Sequence, residues 1–197
     1  MDFVEQYLSD TAEILRRIDR GAIEAVVRLV VETRDAGGRI FFLGCGGGAA
    51  HASHAVNDFR LLAGIPSFTP TDNVSELTAR INDDGWESAY SGWLAQFAPE
   101  ERDLVFVFSV GGGSVEHGLS VNIVRALELA RRRGARITGI VGRDGGATAR
   151  LADACIIVPS VRPESVTVQT ESVQAVIWHL LVSHPAINRR RTRWEST

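Results

Sequence analysis

The chain has 197 residues, 45% of them hydrophobic, with 24 acidic and 21 basic residues and a net charge of −3. That length suffices for the core of one domain, and the near-balanced charge excludes a global basic field that would draw it to nucleic acid or an anionic membrane. Every basic residue is arginine and none is lysine, which excludes Schiff-base and lysine-base catalysis.

In chain order, Val4, Leu8, Leu15 and Ile18, then Ile23, Val26, Val27 and Val30, recur at helical spacing. They predict two helices, broken near Arg20-Gly21 and stopped at Gly37-Gly38. Met1 leads into Asp2-Phe3-Val4-Glu5-Gln6 with no basic region or long apolar run, which argues against a signal peptide or membrane span. Cys45 and Cys155 sit in unlike contexts and read as reduced thiols of a cytoplasmic protein. Ile40–Leu43 has the continuous apolar pattern of a strand covered on both faces. A helix is expected from about Ala49 to Ala63, a proline-interrupted loop at Pro66–Thr71, and helices at Asn73–Asn82 and Trp86–Phe97.

The second half alternates more regularly. Strands are expected at Leu104–Phe108, Ile137–Val141 and Cys155–Val158, with helices at Val121–Arg133, Ala147–Ala152 and about Val168–Val182. Strands alternating with helices specify an α/β fold with a parallel sheet covered on both faces. One domain over residues 1–197 is expected, with N-terminal helices at 1–36 and an α/β core at 37–188. Arg189-Arg190-Arg191 reads as a solvated end.

Gly44-Cys45-Gly46-Gly47-Gly48 sits between the first strand and its helix. Such a turn brings backbone N–H groups to a helix N-terminus, where an anion is favoured. It also fits a dinucleotide fingerprint as Gly44-x-Gly46-x-x-Ala49, but the fingerprint wants a strong second strand, and Pro66-Ser67-Phe68-Thr69-Pro70 is a poor one. Four glycines exceed what a turn needs, so phosphate or sugar contact is the leading reading and no nucleotide cofactor is expected. His54 and Asp58, four apart, share one face of the following helix, whereas His51 reads as a first-turn surface residue.

Ser109-Val110-Gly111-Gly112-Gly113-Ser114 follows another buried strand. Hydroxyl and amide donors there can surround a phosphate without a lysine. Both loops fall at the C-terminal ends of parallel strands, the ligand-binding edge of such a sheet. Glu171 and His179 lie eight apart on the last helix and can project to roughly one side. If they converge with His54 and Asp58, the four side chains offer a divalent-cation site, with zinc favoured by two imidazoles. A bland alternative makes Glu171 a helix-start acid and His179 a packed residue beside Trp178. Asn82-Asp83-Asp84-Gly85-Trp86 reads equally as a helix stop or as donors to sugar hydroxyls. His117 and His184 lack partners at useful spacing.

With both loops and the last helix in place, the chain resembles the SIS (sugar isomerase) domain family, and most closely its phosphoheptose isomerases. The markers are Gly44 to Ala50, His54-x-x-x-Asp58, Asn82-Asp83-x-Gly85, Ser109 to Ser114, Gly142-x-Asp144-Gly145-Gly146 and the helix of His179. The resemblance implies a three-layer, flavodoxin-like α/β/α sandwich and a homotetramer with active sites at subunit interfaces. It implies sugar-phosphate contacts at Cys45, Gly46, Gly47, Asn82, Asp83, Ser109, Gly111 and Ser114, and zinc at His54, Asp58, Glu171 and His179. The chain departs from the family at Cys45 (usually Asn), Gly48 (Ser), Asp58 (Glu) and Glu171 (Gln). It also carries an insertion at Val115–Ser120. The expected reaction converts sedoheptulose 7-phosphate to D-glycero-D-manno-heptose 7-phosphate through a cis-enediolate, with Asp58 as base, Glu171 in reserve and His179 as acid. A non-catalytic sugar-phosphate regulator, a protein adaptor, and an isomerase of another phosphosugar are the competing readings.

Overall fold

The computed structural model describes residues 2–192. Helix α1 spans Phe3–Arg17, and the Asp2 carboxylate accepts from the Glu5 amide at 2.8 Å. Helix α2 spans Arg20–Asp35 and is capped by Asp19, which accepts from the Gly21 and Ala22 amides. The break between them therefore falls at Ile18-Asp19, just ahead of the expected glycine, because an aspartate satisfies orphan helix N–H groups better than a glycine does.

Five strands follow: β1 (Ile40–Gly44), β2 (Ser67–Phe68), β3 (Leu104–Ser109), β4 (Arg136–Val141) and β5 (Ala154–Ile157). They form one parallel sheet in the order β2-β1-β3-β4-β5. Between them run α3 (Gly47–Asp58), α4 (Val74–Asp84), α5 (Trp86–Gln96), α6 (Val121–Arg132) and α7 (Gly146–Leu151), and α8 (Val166–Ser183) follows β5. Ser67–Phe68 was expected as loop but pairs with Ile40 and Phe41. It lies on the sheet edge, where flanking Pro66 and Pro70 are tolerated because one side needs no ladder donors. Beyond Asp58 the helix widens to a π turn over Phe59–Ala63 and stops at Gly64, whose φ is +69°.

The apolar strand runs divide by alternation. Ile40, Phe42, Phe106 and Phe108 face a layer containing α2, α3 and α8, through Val26, Val30, Ala52, Ala55, Ile177 and Trp178. Phe41, Leu43, Val105 and Val107 face α5 and α6, through Tyr90, Trp93, Ile123 and Leu127. Both sheet faces are thus covered, as a three-layer α/β/α sandwich requires. Chain order reverses between β1 and β3, the switch point outside whose carboxyl ends ligands bind in such sheets. Both glycine-rich loops leave the sheet there.

Candidate active site

The first loop is fixed from several directions. Gly48 lies so close to β3 that a Cβ there would stand 2.4 Å from the Phe108 carbonyl oxygen, and a Cβ at Gly44 would stand 2.2 Å from the Gly48 carbonyl. Two of the four glycines therefore serve the close packing of α3 on the sheet. Buried Tyr90 donates its hydroxyl to the Gly44 carbonyl at 2.6 Å, and burial, with Cys45 beside it, raises its pKa. Buried Asn122 donates to the Cys45 sulfur at 3.4 Å. Neither anchor is legible in the sequence, because α5 and α6 meet this loop only in the folded chain.

Helix α3 carries His51, His54 and Asp58 outward from that loop, and α8 packs alongside it. His54, Asp58 and His179 each present a ligand atom, and these atoms all lie within 4.8 Å of one another. His54 Nε2 is 3.7 Å from Asp58 Oδ2. The His179 Nδ1 is hydrogen-bonded at 2.7 Å to the Ala175 carbonyl, which orients the ring and leaves Nε2 for a ligand. The His54 ring stands edge-on to buried Trp178, with centroids 4.7 Å apart. Two imidazoles and one carboxylate in this spacing fit a zinc-like cation with a position open for a substrate oxygen.

Glu171 does not join that trio. Eight residues of helix separate it from His179 by about 12 Å along the axis, and helical side chains lean toward the N-terminus. Its carboxylate instead packs on the first loop: a Cβ at Gly47 would fall 2.7 Å from Glu171 Oε2. His51, half-buried and expected at the surface, lies with it. Burial lowers the His51 pKa, and the hydrogen bond to the Glu171 backbone and the Glu171 carboxylate only partly offset that effect.

A cavity of about 770 Å³ opens at the C-terminal edge of the sheet. Cys45, Ser109, Gly111 and Ser114 line it, as does Glu171. The second loop is largely committed to its own fold. Ser109 Oγ accepts from the Gly112 amide at 3.0 Å, and Ser114 Oγ is shared with His117 Nδ1 at 2.9 Å. The Gly112 and Gly113 carbonyls accept from the Thr148 and Ala147 amides, which pins α7 to the loop. The inserted residues fold back as a Ser114–Leu119 bridge, and Glu116, His117, Leu119 and Ser120 join the cavity wall.

Asn82 and Asp83 are not brought to this cavity; they lie exposed on the last turn of α4, bonded to each other at 2.8 Å. Gly46 is the turn residue before α3, with φ +56°. Arg143 and Arg150, passed over in the sequence, line the same space. Their only sequence signal is position: one follows β4 and the other ends α7.

Residues 6–142 match the SIS domain. The chain is 36% identical over 182 residues to the phosphoheptose isomerase of Aneurinibacillus thermoaerophilus, covering 90% of this chain and 83% of that protein. To the lincomycin biosynthesis protein LmbN of Streptomyces lincolnensis it is 32% identical over 188 residues, covering 92% and 68%. The solved phosphoheptose isomerase from Neisseria gonorrhoeae superposes with a TM-score of 0.79 at 22% identity, covering 91% and 95% of the two chains. The chain belongs to the SIS-domain family, on its phosphoheptose-isomerase-like branch.

Proposed function

We propose that the protein is an aldose–ketose isomerase of a phosphorylated sugar, with sedoheptulose 7-phosphate as substrate and D-glycero-D-manno-heptose 7-phosphate as product. The observation that carries this reading is the His54, Asp58 and His179 trio on α3 and α8, the same α8 that carries Glu171 into the cavity wall, although the trio itself does not line that cavity. Relatives named phosphoheptose isomerase support the substrate class.

His54, Asp58 and His179 would hold the cation. A zinc ion bound there would supply positive charge that favours the developing enediolate. Isomerisation then needs a base to carry one proton between adjacent carbons. Asp58, the base expected from sequence, is the poorer choice, because coordination lowers a carboxylate's basicity. Glu171 stands outside the trio and lines the cavity, so no coordination occupies its oxygens. In this mechanism Glu171 takes the proton from one carbon and returns it to the next, the hydroxyl proton passes from the oxygen that becomes the carbonyl to the former carbonyl oxygen, and His51 positions Glu171. The glycine loops and Cys45 orient the sugar chain, a contribution of several kcal/mol in favourable cases.

The reading includes a homotetramer of cytoplasmic subunits. Phe3, Val4 and Leu8 on α1, and Val176 and Leu180 on α8, are exposed apolar residues in need of a partner. Among the described residues no helix is long and apolar enough to cross a membrane. Light scattering on a sizing column is expected to give four times the chain mass.

The test is incubation with sedoheptulose 7-phosphate in deuterated water, with and without chelator. Aldose formation with solvent deuterium at the reacting carbon, lost on chelation, is expected. Saturable binding without turnover would refute the isomerase and favour a sugar-phosphate regulator.

A further inference from the structure

The second glycine loop offers fewer donors to a phosphate than its composition promises. The Gly112 amide donates to the Ser109 hydroxyl oxygen, the Ser114 amide donates to the Leu119 carbonyl at 2.8 Å, and the Ser114 hydroxyl is shared with the His117 ring. No lysine exists to replace them. Two guanidinium groups, however, reach the same cavity: Arg143, at the turn after β4, and Arg150, on the last turn of α7.

Neither guanidinium has a hydrogen-bond or ion-pair partner among the described residues. Arginines such as Arg39, Arg131 and Arg162 are paired with carboxylates and others such as Arg17, Arg28 and Arg132 are not, but of the unpaired ones it is Arg143 and Arg150 that line the cavity. The Arg143 backbone is left-handed, with φ +52°, an unfavourable conformation for a residue with a side chain. It carries the arginine stem over the second glycine loop, with Cδ 3.9 Å from where a Gly111 Cβ would be. Among the acids of the cavity wall, Asp144 is engaged by the Gly146 amide at 3.2 Å. Glu171 lies over the first loop, after β1, while both arginines are rooted beyond β4. Two strand spacings separate those roots, about 10 Å. Glu171 at the first loop and the two guanidinium groups beyond β4 therefore stand at different ends of the cavity, with Glu116 of the inserted segment also on its wall.

We propose that Arg143 and Arg150 are the phosphate-binding residues of this chain, gripping the ester phosphate so that the uncharged sugar chain extends toward Glu171. Guanidinium groups suit this task, since their paired N–H donors match two phosphate oxygens at once. The assignment rests on the sugar-phosphate reading above and refines which groups of the site recognise the substrate. It makes the pair determinants of specificity for a phosphate monoester over the unphosphorylated ketose.

The experiment titrates inorganic phosphate calorimetrically into the wild-type protein, Arg143→Ala, Arg150→Ala, the double variant and Arg143→Lys. Kinetics on sedoheptulose 7-phosphate run in parallel. Each alanine variant is expected to weaken phosphate binding roughly tenfold or more. KM should rise by a similar factor with kcat within about threefold of wild type, and lysine should recover only part of the loss. Both side chains are exposed and unpaired, so melting temperatures should not move. Phosphate binding and KM in the double variant within twofold of wild type would overturn the assignment, as would a wild type with no saturable phosphate binding. If phosphate binds through the arginines but no sugar turns over, the isomerase reading fails and this one stands. If turnover persists with an unchanged KM in the double variant, the reverse holds.

Discussion

Gly47→Ala separates chemistry from stability in this protein. Gly47 lies in the first turn of α3, and Glu171 on α8 presses its carboxylate against it. A Cβ there would stand 2.7 Å from both Glu171 Cδ and Oε2, and 2.8 Å from Oε1. Non-bonded carbon atoms settle at about 3.5–4.0 Å, so the carboxylate must retreat by roughly 0.7 Å or more. The obstacle is the far end of a flexible side chain, so the retreat is inexpensive, and alanine favours a helical position over glycine by about 0.5–1 kcal/mol. The melting temperature is therefore expected to hold or rise slightly. Activity responds differently, because displacing a reacting group by about 1 Å can cost on the order of a hundredfold. A fall in kcat of tenfold to a hundredfold is expected, with KM little changed, since the cavity end proposed to hold phosphate is untouched. Thermal melts followed by circular dichroism and coupled kinetics on sedoheptulose 7-phosphate measure the two quantities. An alanine variant with wild-type kcat would refute the placement of Glu171 as the reacting carboxylate; a collapse in stability would refute the account of what it packs against.

The remaining expectations concern the cation and the buried charge. Asp58→Asn and His179→Ala should each abolish bound metal, read by elemental analysis of purified protein, and with it isomerase turnover, while the fold persists; stoichiometric metal in either variant would exclude that residue as a ligand. Asp103, fully buried, accepts from the Arg39 amide at 2.9 Å, from Arg39 Nε at 3.0 Å and from the Glu100 amide at 3.0 Å. Replacing it by Asn leaves the Arg39 charge unpaired and should cost about 3 kcal/mol in urea denaturation at neutral pH. Burial alone would raise the Asp103 pKa, but the Arg39 and Glu100 donors outweigh it and the pKa is lowered. Its contribution is therefore present above the unfolded carboxylate value of about 3.9 and is lost as pH falls through the lower folded value. Stability measured from pH 6 to pH 2 should fall more steeply in the wild type than in Asp103→Asn; parallel curves would disprove the coupling.

Local order was legible wherever it depends on near neighbours. The runs Ile40–Leu43 and Leu104–Phe108 become central strands because only a sheet covered on both faces buries every residue of such a segment. His54 and Asp58 meet because four residues of helix return a side chain to the same face. The positions of both glycine loops followed from where those strands end. The sequence by itself therefore determined the sandwich, the edge of it that carries the candidate site, and two of the three residues of the cation trio.

What it could not express is reach between distant segments. Ser67–Phe68 becomes a strand only because β1 offers it an edge. Tyr90 and Asn122 anchor the first loop from helices whose own periodicity places them simply as core. Glu171 and His179 share a helix, but the pitch sets them about 12 Å apart. The packing of α8 against α3 then gives His179 to the trio and Glu171 to Gly47. Arg143 and Arg150 read as turn and helix-end residues until the sheet brings their long side chains to one cavity. Periodicity records which face a residue occupies, whereas the direction and length of a side chain act only once the facing element is in place, and that is what the tertiary structure decided.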